Sequence, residues 1–163
     1  MLEAISDTSP LQYLYQAESL DLLRVLYERV LVPEAVLAEL AEGRALGVAS
    51  PDPLTISWMT ATRAEERRLF PLITDLGAGE REVLALGLER QDALLLLDDA
   101  LARRYARLLG LTFTGTLGVI LEAEQVGHVP RVEPILRRLE SLRFRLHPAT
   151  REAVLRLAGE VEG

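Results

Sequence analysis

The sequence predicts an α/β protein in which a parallel sheet is covered by helices on both faces. Short apolar runs that suit strands alternate along the chain with longer amphipathic segments that suit helices. Residues 93–97 are wholly apolar and bounded by charged residues, as expected for a strand buried on both faces. The 163 residues show no repeat and no linker, which predicts a single domain over 1–163 with a C-terminal helical extension at about 130–163.

The individual elements follow from periodicity and from residues that start or stop helices. Strands are predicted at 2–6, 29–32, 54–59, 93–97 and 111–114. Ser9 before Pro10 indicates the start of the first helix, and Pro33 opens the helix after the second strand. Further helices are predicted at 62–72, 80–89, 100–109, 116–125, 132–142 and 150–158, with a loop at 43–53.

Composition narrows the kinds of site that the chain can build. It has no cysteine and only two histidines, which excludes thiolate sites and disfavours a histidine-rich zinc site. No apolar run approaches the ~20 residues of a membrane span, and the first residues lack signal-peptide features, so we expect a cytoplasmic protein. A net charge of −7 argues against nucleic-acid binding unless the acids and the 18 basic residues, all of them arginine, occupy different surfaces.

Carboxylates occur where a parallel sheet binds ligands, beyond the carboxyl ends of its strands. Asp7 follows the first strand, and Asp98 and Asp99 follow the run at 93–97. Glu80 starts a helix, where the amide dipoles favour an anion, and Glu39 lies two turns into the helix after the second strand. Clustered carboxylates repel one another, and Mg²⁺ or Mn²⁺ with oxygen ligands removes that repulsion. The pattern therefore predicts a metal site that activates water against a phosphodiester.

Each of these residues also has a purely structural interpretation, which the sequence leaves open. Asp7 could belong to a turn, and the Asp98-Asp99 pair could cap the next helix. Glu39 is by default a solvated residue, and Glu82 is expected on the surface unless the pocket is wide. Thr116 is more typical of a helix cap than of a substrate contact.

Other proteins that place aspartates after strands fit this chain less well. Response-regulator receivers and haloacid-dehalogenase-like phosphatases use a lysine, and the chain has none. The phosphatases usually carry a second aspartate two residues after the first, where this chain has Ser9. A P-loop needs Gly-Lys, and residues 77–79 lack the third glycine of a dinucleotide-binding fingerprint.

Several stretches of the sequence resemble PIN-domain proteins over nearly the whole chain. They are residues 5–11 (ISDTSPL), 32–40 (VPEAVLAEL), 76–86 (LGAGEREVLAL) and 95–103 (LLLDDALAR). Residues 110–120 resemble a prokaryotic subgroup related to VapC-type toxins. The resemblance implies a three-layer α/β/α sandwich with a central parallel sheet, here with extra C-terminal helices, and metal-dependent ribonuclease activity.

The resemblance also implies which residues do the chemistry. Asp7, Glu39, Glu80 and Asp99 would bind the metal, with Asp98 supporting or sharing that role. Many relatives have aspartate at the position of Glu80, so its carboxylate reaches outward by one more methylene. The remaining implied contacts, to a water, a phosphate or the RNA backbone, fall on Thr8, Thr116, Arg103 and Arg104.

The sequence thus predicts an endoribonuclease that uses Mg²⁺ or Mn²⁺ and binds RNA, and by resemblance the toxin of a pair whose antitoxin is a separate protein. Two alternatives stay open: a nucleic-acid-binding regulatory module with weak or no catalysis, and a metal-dependent phosphatase with a narrow, closed pocket. Homodimerisation through Leu20, Leu23 and Leu26 is also open, although a core position for these leucines is favoured.

Overall fold

The computed structural model describes residues 2–65, 67 and 70–160. Its strands are β1 (Glu3–Ser6), β2 (Arg29–Pro33), β3 (Met59–Thr62), β4 (Leu94–Leu96) and β5 (Phe113–Thr114). The α-helices in the described part of the chain are α1 (Thr8–Gln16), α2 (Leu22–Leu26), α3 (Glu34–Ala45), α4 (Ala78–Glu89), α5 (Ala100–Leu108), α6 (Thr116–Gln125), α7 (Glu133–Ser141) and α8 (Pro148–Leu157). Pro53–Thr55 and Phe70–Leu72 form short 3₁₀ turns.

The five strands form one parallel sheet in the order β3-β2-β1-β4-β5. The chain builds outward from the central β1 through β2 and β3, and then crosses to the other side of β1 for β4 and β5. The strand order therefore reverses between β1 and β4, which is where open parallel sheets bind ligands. The amide of Asp7 donates to the carbonyl of Leu96 at 3.1 Å, so these two strands stay paired to their carboxyl ends.

The centre of the sheet is buried on both faces. Ala4 and Ile5 of β1 and Leu95 and Leu96 of β4 are fully buried although successive side chains of a strand point to opposite faces. Helices therefore cover both faces, which confirms the predicted α/β sandwich. Buried side chains of α7 and α8 belong to the same hydrophobic core: Leu136, Leu139, Val154 and Leu155.

Leu23 is also fully buried, and Leu20 and Leu26 pack against the core, which agrees with a core position for these leucines. Within the described ranges, no helix has both the length and the apolar character needed to cross a bilayer.

The third strand and the helix expected after it were predicted wrongly. β3 begins at Met59, which pairs with Val30, whereas Pro53–Thr55 is a 3₁₀ turn. The helix predicted at 62–72 does not form in the described residues of that range, and residues 66, 68 and 69 lie outside them. Its amides find other acceptors, because those of Ala64 and Glu65 donate to glutamate carboxylates of α4.

Two helix boundaries also differ from the sequence prediction. Helix α1 begins at Thr8, with Asp7 and not Ser9 at its N-cap position. Pro10 lies in its first turn, where an amide has no intrahelical partner to lose. Helix α3 continues into the predicted loop as far as Ala45 and ends before Gly47, whose φ of +86° suits a glycine after a helix.

Candidate metal centre

Asp7 stands at the carboxyl end of β1, in the middle of the sheet edge. Its side chain makes no capping hydrogen bond to α1, although the residue occupies the N-cap position. The side chain is buried, and its Oδ1 has no hydrogen-bond partner in the described part of the chain. A buried carboxylate oxygen without a partner costs free energy, so the side chain of Asp7 is poorly compensated in the folded chain.

The pKa of Asp7 is raised from 3.8 to about 7. Burial is the largest cause, because it disfavours the charged form. The backbone amide of Thr8 opposes the shift, whereas the charges of Glu80, Glu39 and Asp98 add to it. The other acids are therefore close enough to Asp7 to act on it electrostatically.

Glu39 reaches back from α3 over the same edge. Its Oε2 accepts a hydrogen bond from the Thr8 hydroxyl at 2.6 Å, and its Oε1 accepts one from the Gly79 amide at 2.8 Å. Gly79 lies in the first turn of α4, where a Cβ atom would come within 2.7 Å of Glu39 Oε1 and 3.0 Å of Asp7 Oδ1. The missing side chain of Gly79 thus leaves a notch in which two carboxylates converge.

Glu80 and Asp99 form the outer part of the cluster. Glu80 is in the first turn of α4, and its Oε2 is buried with no hydrogen-bond partner among the described residues. Its pKa is raised to about 7, first by burial, and then by the charge of Asp99 and a hydrogen bond to it. Asp99 is the N-cap of α5, where its Oδ2 accepts from the Ala102 amide at 2.9 Å. The negative charges of Glu80 and Asp99 therefore repel each other, and a bound cation would offset this repulsion.

Asp98 is held by the start of α6. Its Oδ1 accepts from the Thr116 amide at 2.8 Å, and its Oδ2 accepts from the Thr116 hydroxyl at 2.7 Å. The preceding Gly115 leaves room for this contact, since a Cβ there would come within 2.7 Å of Asp98 Oδ1. The side chain of Asp98 is therefore fixed, unlike the free oxygen of Asp7.

The ends of β1 and β4 and the helices α3 and α4 thus bring all five predicted acids into one cluster. The DUF3368 family model, described as a PIN domain, matches residues 3–160. The chain belongs to the PIN-domain family. No curated protein matches the sequence. PIN domains are generally nucleases and typically use divalent metal ions, so the acidic edge of this PIN domain is its candidate metal centre.

The residues of this PIN domain fit a divalent cation by charge and by donor type. The cluster offers only carboxylate oxygens, the ligands that Mg²⁺ and Mn²⁺ prefer. Two of these oxygens, Asp7 Oδ1 and Glu80 Oε2, are buried and have no partner in the described structure. Over the same residues, no three His, Cys, Asp or Glu side chains already stand in a metal-holding arrangement.

The predicted substrate contacts of the PIN domain fall into two groups. Thr8 and Thr116 bind carboxylates, because their hydroxyls donate to Glu39 and Asp98 respectively. Thr116 is fully buried at position N1 of α6, so it supports Asp98 and does not cap the helix. Arg103 donates its Nε to the Leu97 carbonyl at 2.6 Å, beside Asp98. Arg104 is exposed and has no hydrogen bond or ion pair to the carboxylates within the described residues.

Sequence reasoning missed two residues that shape this PIN domain's centre. One feature of the sequence could have indicated the notch at Gly79. A glycine stands in the first turn of a helix, although most other residues favour helix more strongly. Glu82 was expected on the surface, and that prediction was wrong, because the side chain is buried. Its carboxylate accepts from the amides of Ala35 and Ala64 at 2.8 and 3.2 Å. Its signal was the uninterrupted apolar run that follows it in α4.

Proposed function

We propose that this PIN domain is an endoribonuclease that hydrolyses RNA with Mg²⁺ or Mn²⁺. The observation that carries the proposal is the pair of buried, unpartnered oxygens, Asp7 Oδ1 and Glu80 Oε2, inside a cluster of five acids. A neutral ligand would leave the repulsion in this cluster, whereas a divalent cation neutralises it. A bound ion would supply Lewis-acid chemistry, by acidifying a water and by stabilising charge on the phosphodiester.

The residues divide this work between holding the ion and holding one another. The oxygens that would bind the ion belong to Asp7, Glu39, Glu80 and Asp99. Asp98 lies beside them, and its side chain is held by hydrogen bonds from the amide and hydroxyl of Thr116. Thr8 and the Gly79 amide orient Glu39 by occupying one position on each of its oxygens. Because the pKa values of Asp7 and Glu80 are near 7, both carboxyls must release protons before they bind a cation.

The experiment is cleavage of a mixed pool of fluorescent RNA with Mg²⁺, with Mn²⁺ and with a chelator. We expect cutting that depends on the metal and falls at least about 100-fold in Asp7→Asn, which keeps the shape of the side chain but removes its charge. The matched control is Asp21→Asn, the same change at an exposed aspartate. Equal metal-dependent cleavage by wild type and Asp7→Asn would refute the site.

A second candidate is a PIN module that binds RNA without cutting it. The observation that favours it is that no three of the described acids already stand in a metal-holding arrangement. It predicts RNA binding that is unchanged by Asp7→Asn, with no product under any metal condition.

The finer part of the proposal is that the protein acts in the cytoplasm as the toxin of a toxin–antitoxin pair. The resemblance of residues 110–120 to the subgroup related to VapC-type toxins supports it. Expression of the wild-type chain should then arrest growth, expression of Asp7→Asn should not, and a separate small protein should relieve the arrest. Growth arrest by both the wild type and Asp7→Asn would mean that the toxicity does not depend on the proposed nuclease site.

A further inference from the structure

A cavity of about 410 Å³ opens directly beside the acidic cluster. Asp98 lines both, so anything that fills the cavity lies next to the candidate metal centre. One wall comes from β5 and the start of α6, and the opposite wall comes from α8 and the segment before it. The size falls in the range of about 300–1,000 Å³ that is usual for pockets that bind small ligands.

The walls of this cavity are aromatic and cationic. Phe113 and Phe144 are both half-buried, one on each wall. The guanidinium groups of Arg103 and Arg107 lie 5.4 and 5.1 Å from the centre of the Phe113 ring. Arg145 belongs to the wall with Phe144 and is exposed.

The arginines around this cavity differ from three arginines of α7 and α8 in having no carboxylate partner among the described residues. Arg137, Arg151 and Arg156 each form an ion pair with a glutamate. Within the described ranges, by contrast, no ion pair to a carboxylate engages Arg103, Arg107 or Arg145. In a protein with a net charge of −7, unneutralised positive charge therefore gathers beside two aromatic rings. This combination suits a ligand with both an anionic group and a flat ring.

We infer that the cavity is a nucleotide subsite, which receives one unstacked nucleotide of the RNA strand next to the phosphodiester that is cut. Its base packs against Phe113 and Phe144, and its phosphate lies against Arg145. Unpaired bases bind proteins by stacking on aromatic rings, with arginine as the partner of the backbone. This subsite rests on the proposed function, and it goes beyond it by making the C-terminal segment the part that selects where RNA is cut.

The first test measures binding without any cleavage. The four nucleoside 5′-monophosphates are titrated into the full chain in the presence of chelator, beside ribose 5-phosphate and inorganic phosphate, and heat or aromatic-ring NMR shifts are followed. We expect at least one nucleotide to bind about five-fold or more tightly than ribose 5-phosphate, because the base adds stacking. Equal affinities for the nucleotides, ribose 5-phosphate and inorganic phosphate would mean that the cavity binds only phosphate, which contradicts a nucleotide subsite. The absence of binding by any nucleotide would also overturn the proposal.

Substitutions of residues that line the cavity test whether the nucleotide binds there. Phe144→Leu keeps apolar bulk against Tyr13, whose ring lies 4.9 Å from that of Phe144, but it removes the stacking surface. We expect Phe144→Leu and Arg145→Ala each to weaken nucleotide binding about five-fold or more. Arg143→Ala is the matched control, since Arg143 is exposed nearby and does not line the cavity. Thermal unfolding verifies that the variants fold, and an unchanged affinity in both cavity variants contradicts the subsite.

The second test separates the subsite from the proposed nuclease. Cut sites in a randomised RNA pool are sequenced for the wild type, Phe144→Leu and Arg143→Ala. A preference at one position that Phe144→Leu weakens supports the subsite, and an unchanged preference overturns it while the nuclease stands. If the chain cuts no RNA but binds nucleotides in a manner that depends on Phe144, the nuclease proposal fails while the subsite stands.

Discussion

At the level of single residues, the main feature is that burial disfavours the ionised form of two carboxyl groups in the cluster. Asp7 and Glu80 each present a buried oxygen without a partner, and the pKa of each is raised to about 7. A residue selected only for stability would not be left in this condition, since a carboxyl without compensation destabilises the folded state at neutral pH. The electrostatic cost falls on the folded protein, and the proposed cation would relieve it.

The stability of the metal-free protein should therefore depend on the charge of Asp7. A carboxyl whose pKa rises from 3.8 to about 7 on folding binds its proton more tightly in the folded state, so its contribution is full below pH 3.8 and is lost as the pH rises to about 7. Between pH 5 and pH 8 the wild type should lose on the order of 2–3 kcal/mol of unfolding free energy from this group, and Asp7→Asn should not.

Urea denaturation in chelator at both pH values measures this difference. Asp21→Asn, at an exposed position, should follow the wild type. Addition of Mg²⁺ or Mn²⁺ at pH 8 should then stabilise the wild type and not Asp7→Asn. The same pH dependence in wild type and Asp7→Asn would show that folding does not raise the pKa of the Asp7 carboxyl.

The notch at Gly79 leads to a second prediction at this scale. In Gly79→Ala the new Cβ would lie 2.7 Å from Glu39 Oε1 and 3.0 Å from Asp7 Oδ1, so both carboxylates must move. Alanine favours a helix over glycine by about 1 kcal/mol, which offsets part of the strain. We expect little change in melting temperature but a loss of about ten-fold or more in Mn²⁺ affinity, measured by calorimetry.

Gly43→Ala is the control for that change. Gly43 also lies in a helix, α3, but a Cβ there would meet no atom closer than 3.6 Å. If Gly79→Ala binds Mn²⁺ as tightly as Gly43→Ala does, then the notch has no part in the site.

At the scale of elements, Glu82 joins three segments that surround the site. From α4 its carboxylate accepts from the amide of Ala35 in the first turn of α3 and from that of Ala64 after β3. The guanidinium of Arg67 lies 3.5 Å away. Because Ala35 is one turn before Glu39, Glu82 fixes the start of the helix that carries a predicted metal ligand.

Glu82→Ala should destabilise the fold by about 2–5 kcal/mol, because it leaves two amides without their acceptor at a cost of roughly 1–3 kcal/mol each. Glu82→Gln retains one carbonyl oxygen and should recover part of the loss. Urea denaturation measures both variants, and Glu42→Ala, on the exposed side of α3, is the control. A loss no larger than that of Glu42→Ala would mean that water replaces the carboxylate at both amides.

At the scale of the whole molecule, the C-terminal helices form part of the single core and also one wall of the cavity. The carboxylate of Glu160 accepts from the amides of Val132 and Glu133 at 2.7 and 3.1 Å, which joins the end of α8 to the start of α7. Leu136 and Val154 belong to the same core as the strands. The C-terminal helices thus share the core of the sheet, and a single domain over residues 1–163 stays a prediction.

The chain should consequently unfold in one cooperative transition. Fluorescence of Trp58, the only tryptophan, reports on the region just before β3, whereas far-UV circular dichroism reports on all helices. The two signals should give the same urea midpoint, since buried side chains of α7 and α8 belong to the same hydrophobic core as the sheet. Two transitions, with loss of helix before the change in fluorescence, would identify residues 130–163 as a separate unit.

Features that depend on neighbouring residues could be predicted from the amino-acid sequence alone. Residues 93–97 are apolar enough to specify a buried strand, and glycines after α5 and α6 stop those helices with positive φ values of +71° and +86°. The alternation of strands and helices then determined the sheet, and the sheet placed Asp7 and Asp98 at one edge. The acidic edge followed from local patterns and one topological rule.

Features that depend on partners far away in sequence could not be predicted, because they arise only in the folded chain. β3 takes its position from pairing with β2, and residues 64 and 65 stay out of a helix because carboxylates of α4 accept from their amides. The orientation of Glu39 depends on Thr8 and on Gly79, 31 and 40 residues away. Single-residue propensities contain no information about such contacts, because their free energy arises only when the two segments meet.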